Sequence, residues 1–72
     1  MNDFEEMEPV TRKMRTAACI DLQKLEPPDP LQRIALRWVA SGGCTVQQAR
    51  SVAWYCYDST ELRKAIDRHD HQ

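Results

Sequence analysis

The sequence predicts an all-α fold, a small bundle of three to four short helices, and three observations carry that prediction. Apolar residues recur at three- and four-residue intervals through every long segment. The breaks between segments are helix stop and start signals: a Glu-Pro-Pro-Asp-Pro run, a Gly-Gly pair and an Asp-Ser-Thr-Glu run. No segment reads as a strand. At 72 residues the chain fits one domain with a thin core, burying only about 60% of the surface that its unfolded form exposes.

The first eight residues carry Asp3, Glu5, Glu6 and Glu8 around Phe4 and Met7 and read as an acidic, flexible arm. Pro9 suits a first helical position, where its missing N–H is no loss, so the first helix is expected to open there. Met7, Val10, Met14, Ala17, Ala18, Leu22 and Leu25 then fall on one arc, and Arg12, Lys13, Thr16 and Lys24 face away. Asp21 interrupts the apolar arc, and Ile20 points out among the basic residues. A buried Asp21 calls for an Arg partner; a slight roll of the helix places it at the rim instead.

The segment 26–30 ends this helix, because a residue before proline is pushed out of the α region. Asp29, Pro30 and Gln32 open the second as N-cap, first helical residue and capping-box partner. It is expected to run to about Ser41, burying Leu31, Ile34, Ala35, Trp38 and Val39 and exposing Arg33 and Arg37. Gly42-Gly43 stops it. Thr45 and Gln48 form a second capping box, opening a third helix with Val46, Ala49, Val52, Ala53, Cys56 and Tyr57 inward. Gln47, Gln48, Ser51 and Tyr55 face outward there, with Trp54 on the boundary. Asp58-Ser59-Thr60-Glu61 caps a short fourth helix that buries Leu62, Ala65 and Ile66. The expected organisation is thus an arm over 1–8, one helical domain over 9–68 and a polar tail over 69–72.

Composition excludes several classes of function. Cys19, Cys44 and Cys56 are odd in number, form no Cys-x-x-Cys pair and follow no charged-then-apolar leader, so they read as reduced thiols of a cytoplasmic protein. No apolar run approaches the ~20 residues of a membrane span. Ten basic against eleven acidic side chains leave a formal charge of −1, which creates no strong field toward nucleic acid. The exposed cations Arg12, Lys13, Arg15, Lys24, Arg33 and Arg37 read first as solvated faces. Asp67, His69, Asp70 and His71 are metal-ligand types whose spacing does not converge, so no metal or other cofactor is expected. A phosphate cradle, a nucleophile elbow and a helix-borne histidine pair are all missing from the sequence, and no catalytic site is expected.

The second helix, the Gly42-Gly43-Cys44 turn and the third helix resemble a helix-turn-helix in layout. With Gly43 as the turn glycine, Cys44, Ala49 and Val52 take the buried positions, and Thr45, Gln47, Arg50 and Ser51 face outward as base-reading or phosphate-holding types. Val39 and Gly42 depart from that motif, which has a small residue at the first and a larger apolar one at the second. The same hairpin carries Trp38, Trp54, Tyr55 and Tyr57, more aromatic surface than a core this small can enclose. Trp54 and Tyr55 are the ones expected outside, as residue types enriched at interface hot spots. Ser51, Ile20 and Arg37 complete the expected protein-binding set. The function expected is that of a small non-enzymatic regulatory protein that binds and modulates a larger protein. In size and composition it is similar to the inhibitors, antirepressors and adaptors of phages and other mobile elements. A second copy of the chain also suits such a surface, because an alanine-rich core gains from burying more area. The alternative is a dimeric helix-turn-helix DNA-binding regulator using Thr45, Gln47, Arg50 and Ser51.

Overall fold

Every helix needs acceptors for the amides of its first turn, and where this chain finds them sets its architecture. In the computed structural model, which describes residues 8–26 and 29–71, four helices follow one another: α1 Arg12–Lys24, α2 Pro30–Ala40, α3 Val46–Tyr55 and α4 Thr60–Asp70. The fold is the predicted all-α bundle, with no strand among the described residues. α1 is its hub, packing against both α2 and α4, while α3 meets α2 and α4 over smaller contacts. The arm over 1–7, including Met7 of the expected first arc, and Pro27-Pro28 lie outside the described residues.

α1 starts three residues later than Pro9 suggests. Thr11 is its N-cap, the hydroxyl accepting from the Met14 amide at 3.2 Å. Pro9 instead forms an isolated antiparallel bridge with Thr45, in which Val46 N–H donates to the Glu8 carbonyl at 2.7 Å and Val10 N–H to the Cys44 carbonyl at 3.2 Å. Both donors come from other residues, so a proline fits this position without loss. Val10 reaches the core from this extended segment, and α1 adds Met14, Ala17 and Ala18.

α2 begins at the predicted N-cap, the Asp29 carboxylate accepting from the amides of Leu31 at 2.9 Å and Gln32 at 3.2 Å, but the expected capping box is not formed, because the Gln32 side chain turns to Asp58 instead of back to the cap. Its rotation differs from the expected one. Gln32, Leu36 and Val39 are buried, whereas Leu31 at 65%, Ile34 at 67% and also Trp38 are exposed. The reason is that α2 is apolar almost all round, with Arg33, Arg37 and Gln32 as its only strongly polar side chains, so its periodicity offers two arcs. Leu36 and Val39 lie on the arc the core takes, and Gln32 joins them because its amide has a partner there. Gln32 Nε2 lies 3.5 Å from Asp58 Oδ2, and Gln32 Oε1 accepts from the Asp58 amide at 3.3 Å.

At the α2–α3 turn Gly42, not Gly43, takes the left-handed conformation, with φ of 78°. A Cβ there would also stand 3.0 Å from Cδ of Arg15. The Thr45–Gln48 capping box forms in full. α3 buries Val46, Ala49, Val52 and Ala53 as expected, but it ends at Tyr55, and Tyr57 beyond it turns out to solvent rather than into the core. α4 buries Leu62 and Ile66 and continues to Asp70, so His69 and Asp70 belong to the helix rather than to a tail.

Ser59 occupies the N-cap position of α4 without capping it. Its hydroxyl points back to the end of α3, within hydrogen-bond distance of the Ala53 carbonyl at 2.9 Å and of the Cys56 carbonyl. The Arg63 guanidinium covers the same carbonyls, donating from Nε to Ala53 O at 2.8 Å. α4 is capped from α1 instead: Asp21 accepts from the Glu61 amide at 3.0 Å and from the Leu62 amide at 2.8 Å. Asp21 is 1% exposed. It neither sits at the rim nor depends on an Arg, because two amides at a helix N-terminus supply both hydrogen bonds and a favourable dipole.

Replacing this carboxylate would leave two amides without acceptors. Asp21→Ala is expected to lower stability by about 2–3 kcal/mol, the range of buried hydrogen bonds to a charged group. Asp21→Asn, which keeps one good acceptor, should lower it less. Urea denaturation checks the order of the two, and faster hydrogen exchange at the Glu61 and Leu62 amides checks its location.

Candidate protein-binding surface

The outward face of α3 brings together Ser51, Trp54 and Tyr55 at the three- and four-residue spacings that place side chains side by side on a helix. Trp54 is 84% and Tyr55 74% exposed. Beside Trp54 a groove of about 560 Å³ opens between α3 and α4. Ala53 and Ile66, both buried, supply its apolar lining, and Arg50, Arg63, Lys64, Asp67 and Asp70 surround them.

Most of that charged border is tied down within the chain. Arg50 makes a two-pronged ion pair with Asp70, joining α3 to the last turn of α4. Lys64 pairs with Glu61 at 3.1 Å, and Arg63 is committed to the carbonyls that end α3. The hydrogen bond from Arg50 holds the Asp70 carboxyl below the ordinary carboxylate range, as that from Lys64 does for Glu61. The backbone carbonyl of Asp67, aided by its carboxylate, raises the His71 imidazole. His69 Nε2 lies 3.6 Å from Glu8 Oε2. Asp67 and His71 thus face each other, while Asp70 turns to Arg50 and His69 to Glu8, and no group of three or more metal-ligand side chains converges among the described residues. Burial raises the Cys44 thiol, and burial followed by the Asp29 carboxylate raises that of Cys56.

The remaining members of the expected set lie elsewhere: Ile20 is exposed on α1 and Arg37 on α2, and neither lines the groove beside Trp54. Of the residues singled out for DNA contact, Thr45 spends its hydroxyl on the Gln48 amide at 3.2 Å, and Arg50 is paired with Asp70. Ser51 Oγ donates to the Gln47 carbonyl at 3.4 Å, and Gln47 is exposed. A second exposed group was not expected outside. Leu31, Ile34 and Trp38 line the outer side of α2, and Tyr57 faces Leu31 across a further groove of about 660 Å³. The all-round apolar character of α2 was the available signal for it. Comparison with family models, with curated proteins and with solved structures gives no match.

Because Arg50 lowers the folded-state pKa of Asp70, their pairing adds stability above the pKa of the unfolded carboxyl and loses it as the pH falls through the lowered folded value. Asp70→Asn is expected to cost less than about 1 kcal/mol at neutral pH, as for a half-exposed ion pair. It should also remove that part of the acid sensitivity, which thermal melts along the acid limb would register.

Proposed function

We propose that the chain is a small non-enzymatic regulatory protein that binds a larger protein through the outer face of α3 and modulates it. The observation that carries this reading is Trp54. It is the largest side-chain type, it stands almost wholly in water, and it contributes nothing to the core. A soluble fold gains nothing from such a ring, whereas tryptophan and tyrosine are the residues most enriched at interface hot spots.

The surroundings suit a contact of that kind. Trp54 and Tyr55 offer large, rigid apolar area at small entropic cost. The groove beside Trp54 can receive an apolar side chain of the partner over Ala53 and Ile66. The charges around it are already paired internally, so they form a polar rim that needs little rearrangement on binding. The fitting partner is a folded protein surface with one protruding apolar or aromatic side chain flanked by mixed charge.

Affinity capture from nuclease-treated host lysate, followed by binding measurements with the retained protein, tests the proposal. Trp54→Ala and Tyr55→Ala are each expected to weaken binding at least about tenfold, the level of a hot-spot residue. Their melting temperatures should stay at the wild-type value, because both rings are exposed. Unchanged affinity in both variants would remove α3 as the binding face. Binding of separately added duplex DNA that weakens with salt and on Gln47→Ala would favour the DNA-binding alternative.

A further inference from the structure

The near-neutral formal charge conceals a segregation of charge along the chain. Four of the eleven carboxylates stand in residues 1–8. Residues 11–40, which form α1 and α2, carry six cations against three carboxylates. Two of those three are spent on helix amides, Asp21 at the start of α4 and Asp29 at the start of α2. Arg12 and Arg15 of α1 and Arg33 and Arg37 of α2 are all exposed, and none of them forms an ion pair or a side-chain hydrogen bond with another described residue.

The packing gathers these four on one side of the molecule. α1 and α2 pack against each other across the short link 25–29 and run antiparallel, so the Arg15 side chain lies against Gly42, just past the end of α2. The exposed residues of α2 fall on two flanks of its buried line of Gln32, Leu36 and Val39. Leu31 holds one flank, beside Tyr57 and Asp58 of the α3–α4 link. Arg33 and Arg37, one turn apart, hold the other, which is the flank turned to α1. Arg12 and Arg15, three residues apart, are neighbours on α1. Two short rows of guanidinium groups thus follow the α1–α2 seam. We propose that this ridge binds the phosphate backbone of double-stranded DNA, independently of base sequence.

The chemistry of the ridge selects this occupant. A guanidinium matches phosphate as a planar, two-pronged donor, and four of them repel one another until a polyanion lies across them. No aromatic ring stands between the two rows: Trp38 is on the opposite flank of α2, and Trp54, Tyr55 and Tyr57 belong to α3 and the segment after it. Single strands, which bind by stacking bases on such rings, find no platform here, and a folded protein finds no aromatic anchor. A duplex backbone needs only charge and donors. The eleven residues of α2 span about 16 Å, the length of about five base pairs, so one duplex can meet all four arginines. The ridge leaves Trp54 uncovered and does not rest on the function proposed above. It is also separate from Thr45 and Arg50 of α3, which are engaged within the chain.

Fluorescence anisotropy of a labelled duplex of about 20 base pairs, titrated with the full chain, tests the ridge. Binding is expected at about 50 mM salt, the same for unrelated sequences, and about tenfold weaker at about 100 mM, as four released counterions require. Arg15→Gln and Arg37→Gln should each lower the salt slope by about one, with circular dichroism unchanged because both sites are exposed. Gln47→Ala on α3 and Arg68→Gln on α4 should leave the slope as it is. Cys19, exposed one turn beyond Arg15 while Cys44 and Cys56 are buried, gives a second readout: bound duplex should slow its reaction with N-ethylmaleimide. Each of four results would overturn the proposal. They are no binding at about 50 mM salt, tighter binding of the single strand than of the duplex, equal binding of polyglutamate, and a slope that changes with Gln47→Ala but not with the two arginine variants.

Discussion

Asp21 belongs to α1, yet the amides it serves open α4, forty residues further along the chain. That single carboxylate ties the hub helix to the last one and brings Leu62 and Ile66 into the same core as Met14 and Ala18. A bare buried carboxylate would be strongly unfavourable. Here its two hydrogen bonds and the positive end of α4 offset the loss of water, so the charge is tolerated only when α1 and α4 are docked. The interaction therefore contributes specificity as well as stability.

Other polar contacts follow from it. Once Asp21 caps α4, Ser59 is released from that duty and turns with Arg63 to the carbonyls ending α3. One residue earlier, Asp58 holds the buried Gln32 of α2. The α3–α4 link is thus a junction at which all four helices meet through hydrogen bonds to identified partners, and no buried side-chain polar atom among the described residues lacks one. In a chain this short the apolar core is limited, its largest fully buried apolar side chains being Met14, Leu36 and Leu62. Directional polar contacts do much of the work of choosing one packing over another.

That economy leaves both tryptophans and both tyrosines outside. They form two regions of different character. The α3 region has aromatic rings beside a groove with an internally paired charged border, which suits a foreign surface. The α2 region is a plain apolar stripe of Leu31, Ile34 and Trp38.

Local signals in the sequence were sufficient for the helices and for the N-caps of α2 and α3. Asp29-Pro30 and the Thr45–Gln48 box act between residues two or three apart, so their hydrogen bonds can be read from spacing alone. The outward direction of Trp54 and Tyr55 was legible for a related reason: α3 has one well-defined apolar arc, with Tyr55 opposite it and Trp54 at its edge. α2 has no such arc, and its rotation was decided by whether Gln32 could find a partner in Asp58, a contact 26 residues away. The start of α1 was likewise decided outside the helix, by pairing of residues 8–10 with 44–46. Asp21 looked like a defect in an apolar face because its partners are backbone amides, which every residue except proline possesses and no sequence pattern marks. Periodicity and capping determined which segments are helical; which face of α2 turns inward, and why a carboxylate belongs in the core, depended on hydrogen bonds that exist only after the helices have met.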